Sequence, residues 1–458
     1  MNVAGSAKAT AIINLLLSLT APNVHPATRA SVGSRPYEIA MVLSFDFRHL
    51  TFDCFLFNWE TIIYMKTDYP RKIIFDMDGV ITSEECYWNT AALVVWELLF
   101  SERGLALPAP PSLPPFEPAP DPSRVAAVRR VIFQDDRVIT FFKQRALNSN
   151  WDLAFYTFTF QLALFLKHSS SLLQDGAADL FGGDFNLDQL PRLKNSLASP
   201  QAEQPWSPPF AEILSEWAGE ATGADLGPKL HALLPQGSPA AALPLSVFTN
   251  ASPLWHSVRR NFQEWYFGEA GYAALYGQAP KTPGKRGFIT EEQPLLPVEQ
   301  VKKTLGELHR NGWTLSVATG RPHNELLPPL KQMGILEYFD SGSVVTFDLV
   351  EEAQQTATAA GETLSLGKPH PFSLLRAYWG NGYPQQSLLA PPFPSPPAGS
   401  CYFVGDAPAD LLAARAADVS FIAVLTGHDG VSGKKNFEGQ GAAAILPDIT
   451  HIPSCLLG

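Results

Sequence analysis

Two aspartates with one residue between them, Asp76 and Asp78, stand directly after the apolar run Ile73-Ile74-Phe75 in the segment RKIIFDMDGVIT, Arg71 to Thr82. A short run that is apolar at every position is the pattern of a strand buried on both faces. In open α/β sheets the carboxyl ends of such strands form the ligand crevice, so both side chains are expected where chemistry is usually done. Two carboxylates this close in a partly buried cleft cannot both stay ionised and unpaired, which calls for a divalent cation or a shared proton. Gly79 follows and suits tight backbone geometry beside an anion.

Three further segments place polar groups at the ends of apolar runs. Leu315 to Arg321, LSVATGR, ends in Thr319-Gly320-Arg321: a hydroxyl, a flexible backbone and a guanidinium. Gly367 to Pro371, GKPHP, holds Lys368 in a proline turn, with a helical segment, Phe372 to Tyr378, after it. Cys401 to Asp410, CYFVGDAPAD, ends a run in Gly405-Asp406 and carries Asp410 four residues on. Taken singly these are ordinary strand-end and turn residues; in this order and placement they form a constellation. His370 reads as a turn residue rather than a metal ligand, because a cation held by carboxylates prefers oxygen.

The elements that must position these groups follow from the order of the pieces. Strand, long insert, then helix and strand in alternation predicts an α/β fold with a parallel sheet and helices on both faces. No G-x-G-x-x-G follows the first strand, so a dinucleotide is not indicated. The set D-M-D-G-V-I-T, A-T-G-R, G-K-P and V-G-D-x-x-x-D resembles the haloacid dehalogenase-like (HAD) hydrolase superfamily, especially its phosphoglycolate-phosphatase and phosphomutase-like branch. The likeness covers roughly 72–90 and 294–457, including Pro297 to Gly312 as the helix before the second motif. It implies a Rossmann-like parallel-sheet core with a large, mostly α-helical cap inserted after the first strand.

The resemblance also assigns roles. Asp76 attacks phosphorus and forms an aspartyl phosphate, and Asp78 protonates the leaving alkoxide and later deprotonates the attacking water. Thr319 and Lys368, with Gly320 and Arg321, meet the substrate's phosphoryl or anionic groups. Mg2+ is implied as cofactor, held by Asp76, Asp78 through its backbone carbonyl, Asp406 and Asp410. Dehalogenating members lack the second aspartate; Asp78 is present here, which favours phosphoryl transfer. The expectation is a phosphatase acting on a small phosphorylated metabolite. The alternatives are a sugar phosphomutase of the same fold and a non-catalytic binding protein that uses its aromatic cap.

Composition bounds the rest. The 458 residues are 46% hydrophobic, enough for sizeable cores, and a net charge of −11 argues against a general nucleic-acid partner. Cys54, Cys86, Cys401 and Cys455 have no C-x-x-C spacing, which fits a reducing, cytoplasmic setting. Met1 to Tyr64 reads as a weakly ordered N-terminal extension, with a short apolar run, Ala11 to Thr20, that only faintly imitates a secretory signal. The core is expected over 65–84 and 291–458, as a monomer or homodimer. The cap is expected over 85–290, with a proline-rich loop at Leu107 to Pro122 and a strongly apolar helix at Trp151 to Lys167. That helix reads as a buried cap element and not a membrane one. Glu84, Trp88, Asn89, Arg259 and Arg260 are the cap's candidate substrate contacts.

Overall fold

A computed structural model of the protein describes residues 69–145, 147, 149–173, 175–197, 206–217, 223–362 and 364–458. The expected extension, Met1 to Tyr64, lies outside the described residues, as does Cys54.

Six strands form one sheet in the order β3-β2-β1-β4-β5-β6, and every pair is parallel. They are β1 (Lys72–Phe75), β2 (Thr314–Ala318), β3 (Phe339–Val345), β4 (Cys401–Gly405), β5 (Ser420–Val424) and β6 (Ala444–Leu446). All four residues of β1 are buried. Because side chains alternate along a strand, they feed two cores. Ile73 and Phe75 pack with Val301, Leu305, Leu326 and Leu330, while Ile74 packs with Val350, Leu374, Leu375 and Leu411 on the other face.

β1 lies between β2 and β4, and the chain moves outward on one side to β3 before it crosses to the other. The topological switch point, where parallel sheets open a crevice at their carboxyl ends, is therefore beside β1. Register places the motifs at one level: Phe75 pairs with both Val317 and Val404, and the Asp76 amide donates to the Val404 carbonyl (2.9 Å).

The insert after β1 leaves and returns through a paired neck, in which the Ser83 amide donates to Gln293 and the Leu295 amide to Ile81, each at 2.9 Å. Between these points run α1 (Glu85–Phe100), α2 (Pro122–Ile132), α3 (Arg137–Lys143), α4 (Asn150–His168), α5 (Pro253–Tyr276) and shorter helices. They bury an apolar core of their own, in which Trp96, Phe133, Phe142, Phe155, Trp217 and Trp265 are inaccessible or nearly so. The helix expected at Trp151 to Lys167 is α4, and most of its residues are buried in this core. No helix among the described residues is long and apolar enough to cross a membrane.

One cation sits deep in the insert. Lys285 Nζ lies 2.8 Å from Glu97 and 3.0 Å from Glu264, with all three side chains almost wholly buried. Glu97 also accepts from Trp265 Nε1 (2.7 Å) and Asn261 Nδ2 (3.0 Å), and Arg260 lies 3.5 Å from Glu264, so both carboxylates are compensated as burial demands. After the insert, α6 (Val298–Arg310), α7 (His323–Met333), α8 (Phe347–Ala359), α9 (Phe372–Trp379) and α10 (Pro408–Ala416) link the strands.

Candidate active site

The sequence motifs converge at the carboxyl edge of the sheet. Asp76 follows β1, Thr319 follows β2 and Asp406 follows β4, while Lys368 enters from the turn before α9 and Asp410 from the first turn of α10. All five line one cleft beneath the insert, together with Asp78, Gly320 and Arg321.

Asp76, Asp406 and Asp410 each offer an oxygen within 4.8 Å of the others. Lys368 Nζ ties two of them together, at 2.8 Å from Asp76 Oδ2 and 2.8 Å from Asp410 Oδ1. The second Asp76 oxygen accepts from the Met77 amide (2.8 Å), and the second Asp410 oxygen from the amides of Asp406 (3.3 Å) and Ala407 (3.1 Å). Asp410 therefore braces both the strand end and Lys368. A Cβ at Gly405 would stand 2.6 Å from that of Asp410, which explains the glycine.

Asp406 differs. Among the described residues no hydrogen bond or ion pair reaches its carboxylate oxygens, yet two backbones crowd it: a Cβ on Gly79 would lie 2.3 Å from Oδ2, and one on Gly427 only 1.9 Å away. Gly79 also needs its left-handed φ of 75°. Burial pushes the Asp406 carboxyl well above the usual carboxylate range, against the pull of Lys143. Burial likewise raises Asp76 to about 7, with Lys368 opposing and Asp410 reinforcing the rise. A cluster of carboxylate oxygens short of positive charge, in a cradle closed by two glycines, fits a small hard divalent cation such as Mg2+.

Asp78 sits to one side of this cluster. Arg321 Nε donates to both of its oxygens at 3.0 Å, and Arg321 Nη2 also reaches Asp78, Thr82 Oγ1 (3.0 Å) and the wholly buried Glu292 (3.0 Å). The guanidinium rests on the Tyr87 ring, 4.7 Å from its centroid. Arg321 thus spans two carboxylates and holds Asp78 in one orientation. Thr319 presents a hydroxyl whose oxygen accepts from the Arg321 amide (3.2 Å). His370 sits in its turn as expected, bonded to the Leu389 carbonyl (3.2 Å) and the Phe372 amide (3.2 Å).

Of the insert's candidate contacts, Glu84 lines the cleft and is paired with Lys143 of α3. Burial lowers the Lys143 ammonium, but Glu84, Asp406 and Asp78 outweigh it and raise the net pKa. Asn89 lines a separate hollow with Arg129. Trp88 packs edge-on against His428, and Arg259 lies over Trp151 (4.1 Å) while pairing with Glu351 (3.3 Å). Arg260 approaches Glu264 (3.5 Å). Sequence reasoning missed Lys143, Asp152, Glu325 and Gly427. Only Gly427 carried a signal, as a glycine just past the end of a late apolar strand.

The fold and the site define a parallel α/β protein whose carboxylate cluster sits at the strand ends beneath a helical cap. A model of the haloacid dehalogenase-like hydrolase family matches residues 241–418. Over these residues the chain is similar to haloacid dehalogenase-like hydrolases. It is 29% identical over 155 residues to a phosphoglycolate phosphatase of Pseudomonas fluorescens, covering 34% of this chain and 46% of that one. It is 27% identical over 165 residues to the phosphoglycolate phosphatase of Salmonella typhimurium, covering 36% and 50%. The chain thus matches these curated relatives over about half their length. A crystal structure solved as a structural-genomics target superposes with a TM-score of 0.66 at 28% identity, over 84% of this chain and 98% of that one.

Proposed function

We propose that the chain is a Mg2+-dependent phosphatase that hydrolyses a small phosphate monoester through an aspartyl phosphate on Asp76. The observation that carries this reading is the cluster of Asp76, Asp406 and Asp410 around Lys368 at the sheet switch point. The same reading divides the chain into an extension (1–64), a core (65–84 and 291–458) and a cap (85–290), and assigns it to the cytoplasm.

The roles follow from the positions. Asp76, fixed by the Met77 amide and Lys368, attacks phosphorus. Asp78, oriented by Arg321, gives its proton to the departing alkoxide and then takes one from the water that attacks the acyl phosphate. Lys368 and the Thr319 hydroxyl stabilise charge on the phosphoryl oxygens. Asp76, the Asp78 carbonyl, Asp406 and Asp410 would hold Mg2+, which supplies charge neutralisation for the phosphoryl group. The cap excludes bulk water from the cleft and meets the part of the substrate beyond the phosphate.

The test is phosphate release from a panel of phosphorylated metabolites, with Mg2+ and then with chelator, for the parent and Asp76→Asn. Metal-dependent release that vanishes in the variant supports the reading. Isomerised phosphate esters without release would point to a mutase instead, and binding without any turnover to a non-catalytic role.

A further inference from the structure

The cleft holds about 430 Å3, within the range of small-molecule pockets of ~300–1,000 Å3. Its phosphoryl end is the carboxylate cluster; another part of its wall has a different chemistry. There Trp151, Trp255 and Tyr87 form aromatic walls, and two buried carboxyl groups, Asp152 and Glu325, face the same space. Asp152 is 7% exposed and Glu325 not at all.

Neither carboxyl group has a cation paired to it among the described residues. Asp152 accepts only from Trp255 Nε1 (2.7 Å) and Asn250 Nδ2 (3.1 Å). Glu325 accepts from the Tyr87 hydroxyl (2.8 Å), and its other oxygen, Oε1, has no hydrogen-bond partner. A buried polar atom left without a partner costs ~1–3 kcal/mol, so this one stands ready for a donor. Burial raises Asp152 to about 6 and Glu325 to about 7, against the hydrogen bonds that lower both and, for Glu325, the more distant charges of Arg321 and Arg259.

The Lys and Arg side chains that line the cleft are already matched to acids: Lys143 to Glu84, Lys368 to Asp76 and Asp410, Arg321 to Asp78 and Glu292. Arg259 lies behind the aromatic wall, stacked on Trp151 and Trp255 and paired with Glu351. A second anionic group on the substrate would thus meet two carboxyl groups and, among the described residues that line the cleft, no Lys or Arg side chain free of an acid, which is how a site rejects a ligand. A hydroxyl or ammonium group would satisfy the acceptors already present.

Resting on the phosphatase reading, the geometry points to a substrate whose alcohol moiety is a neutral or cationic hydrogen-bond donor, a polyol or amino alcohol, with no second carboxylate or phosphate. On this view 2-phosphoglycolate, which names the relatives' activity, is a poor substrate here. Asp152 and Glu325 act as specificity residues that read the leaving group.

The test is kcat/KM for glycerol 1-phosphate, O-phosphoethanolamine and 2-phosphoglycolate with Mg2+, in the parent, Asp152→Asn and Glu325→Gln. The ratio of two substrates on one enzyme sample does not depend on how much of a variant is folded. The parent should prefer one of the first two over 2-phosphoglycolate by at least tenfold. A lead for the amine identifies an ammonium and a lead for glycerol 1-phosphate identifies hydroxyls; each supports the inference. At least one variant should lower that preference about tenfold. Equal or better turnover of 2-phosphoglycolate by the parent, or an unchanged ratio in both variants, would overturn the inference while leaving the phosphatase reading intact. No release from any ester, p-nitrophenyl phosphate included, would instead overturn the phosphatase reading and the inference with it.

Discussion

Replacing Gly427 by alanine should cripple the candidate metal site. Gly427 lies outside the left-handed region, so the substitution brings no backbone strain. Its new Cβ would stand 1.9 Å from Asp406 Oδ2, 2.7 Å from Cγ and 2.8 Å from Cβ, so the whole Asp406 side chain, and not only its carboxylate tip, must shift. Magnesium demands near-ideal octahedral geometry at ~2.0–2.1 Å, and a ligand so displaced leaves its coordination sphere. Loss of support around a ligand typically costs ~10–100-fold in metal affinity, or about 1.4–2.7 kcal/mol. The assay is a Mg2+ titration of phosphate release, with thermal unfolding run in parallel. The half-saturating Mg2+ should rise ~10- to 100-fold at a temperature where the unfolding scan shows the variant still folded. A variant with the parent's Mg2+ requirement would refute the argument that Asp406, seated in a two-glycine cradle, is a metal ligand.

Other consequences follow from the same packing. Lys285→Met removes the ammonium shared by Glu97 and Glu264, leaving Glu97 with no cation among the described residues and Glu264 with Arg260 only, and should destabilise the protein by ~3–5 kcal/mol, read by denaturant unfolding. Asp78→Asn should lower kcat by ~10²–10⁴-fold without loss of fold, because Arg321 keeps Glu292 as partner; steady-state kinetics on the best substrate checks this. Glu325 has its pKa raised from an ordinary 4.5 to about 7 by burial, so the folded state favours its protonated form. Its contribution to stability is complete below pH 4.5 and is lost as pH rises through about 7; Glu325→Gln should flatten that decline, as followed by unfolding free energy against pH.

What the sequence made legible was local. β1 is short and apolar at Ile73-Ile74-Phe75, so Asp76 had to emerge at its end, and the same reasoning placed Thr319 and Asp406. The neighbouring glycines were readable for the same reason. The order of strands and helices was enough for a parallel sheet, since crossover connections leave few choices. Contacts made across the chain were not legible. Lys143 meets Glu84 from 59 positions away because α3 packs over the cleft, and nothing near Lys143 in the sequence marks it. Arg321 was recognisable as a candidate site residue, yet that it bridges Asp78 to Glu292 depends on the return of the insert through its neck. Asp152 looked like one polar residue at the start of an apolar helix. Its meaning comes from Trp255 and Asn250, which are brought to it by the fold of the cap.

The central claim is that phosphorus passes through Asp76. It is tested most directly by mixing enzyme, Mg2+ and its best substrate, quenching in acid within the first turnovers, and mapping phosphate by peptide mass spectrometry. The account predicts an acid-stable, hydroxylamine-labile phosphoryl group on the peptide that contains Asp76, absent from Asp76→Asn, which should release no phosphate. Undiminished turnover by Asp76→Asn, or a phosphoenzyme mapped to another residue, would contradict it.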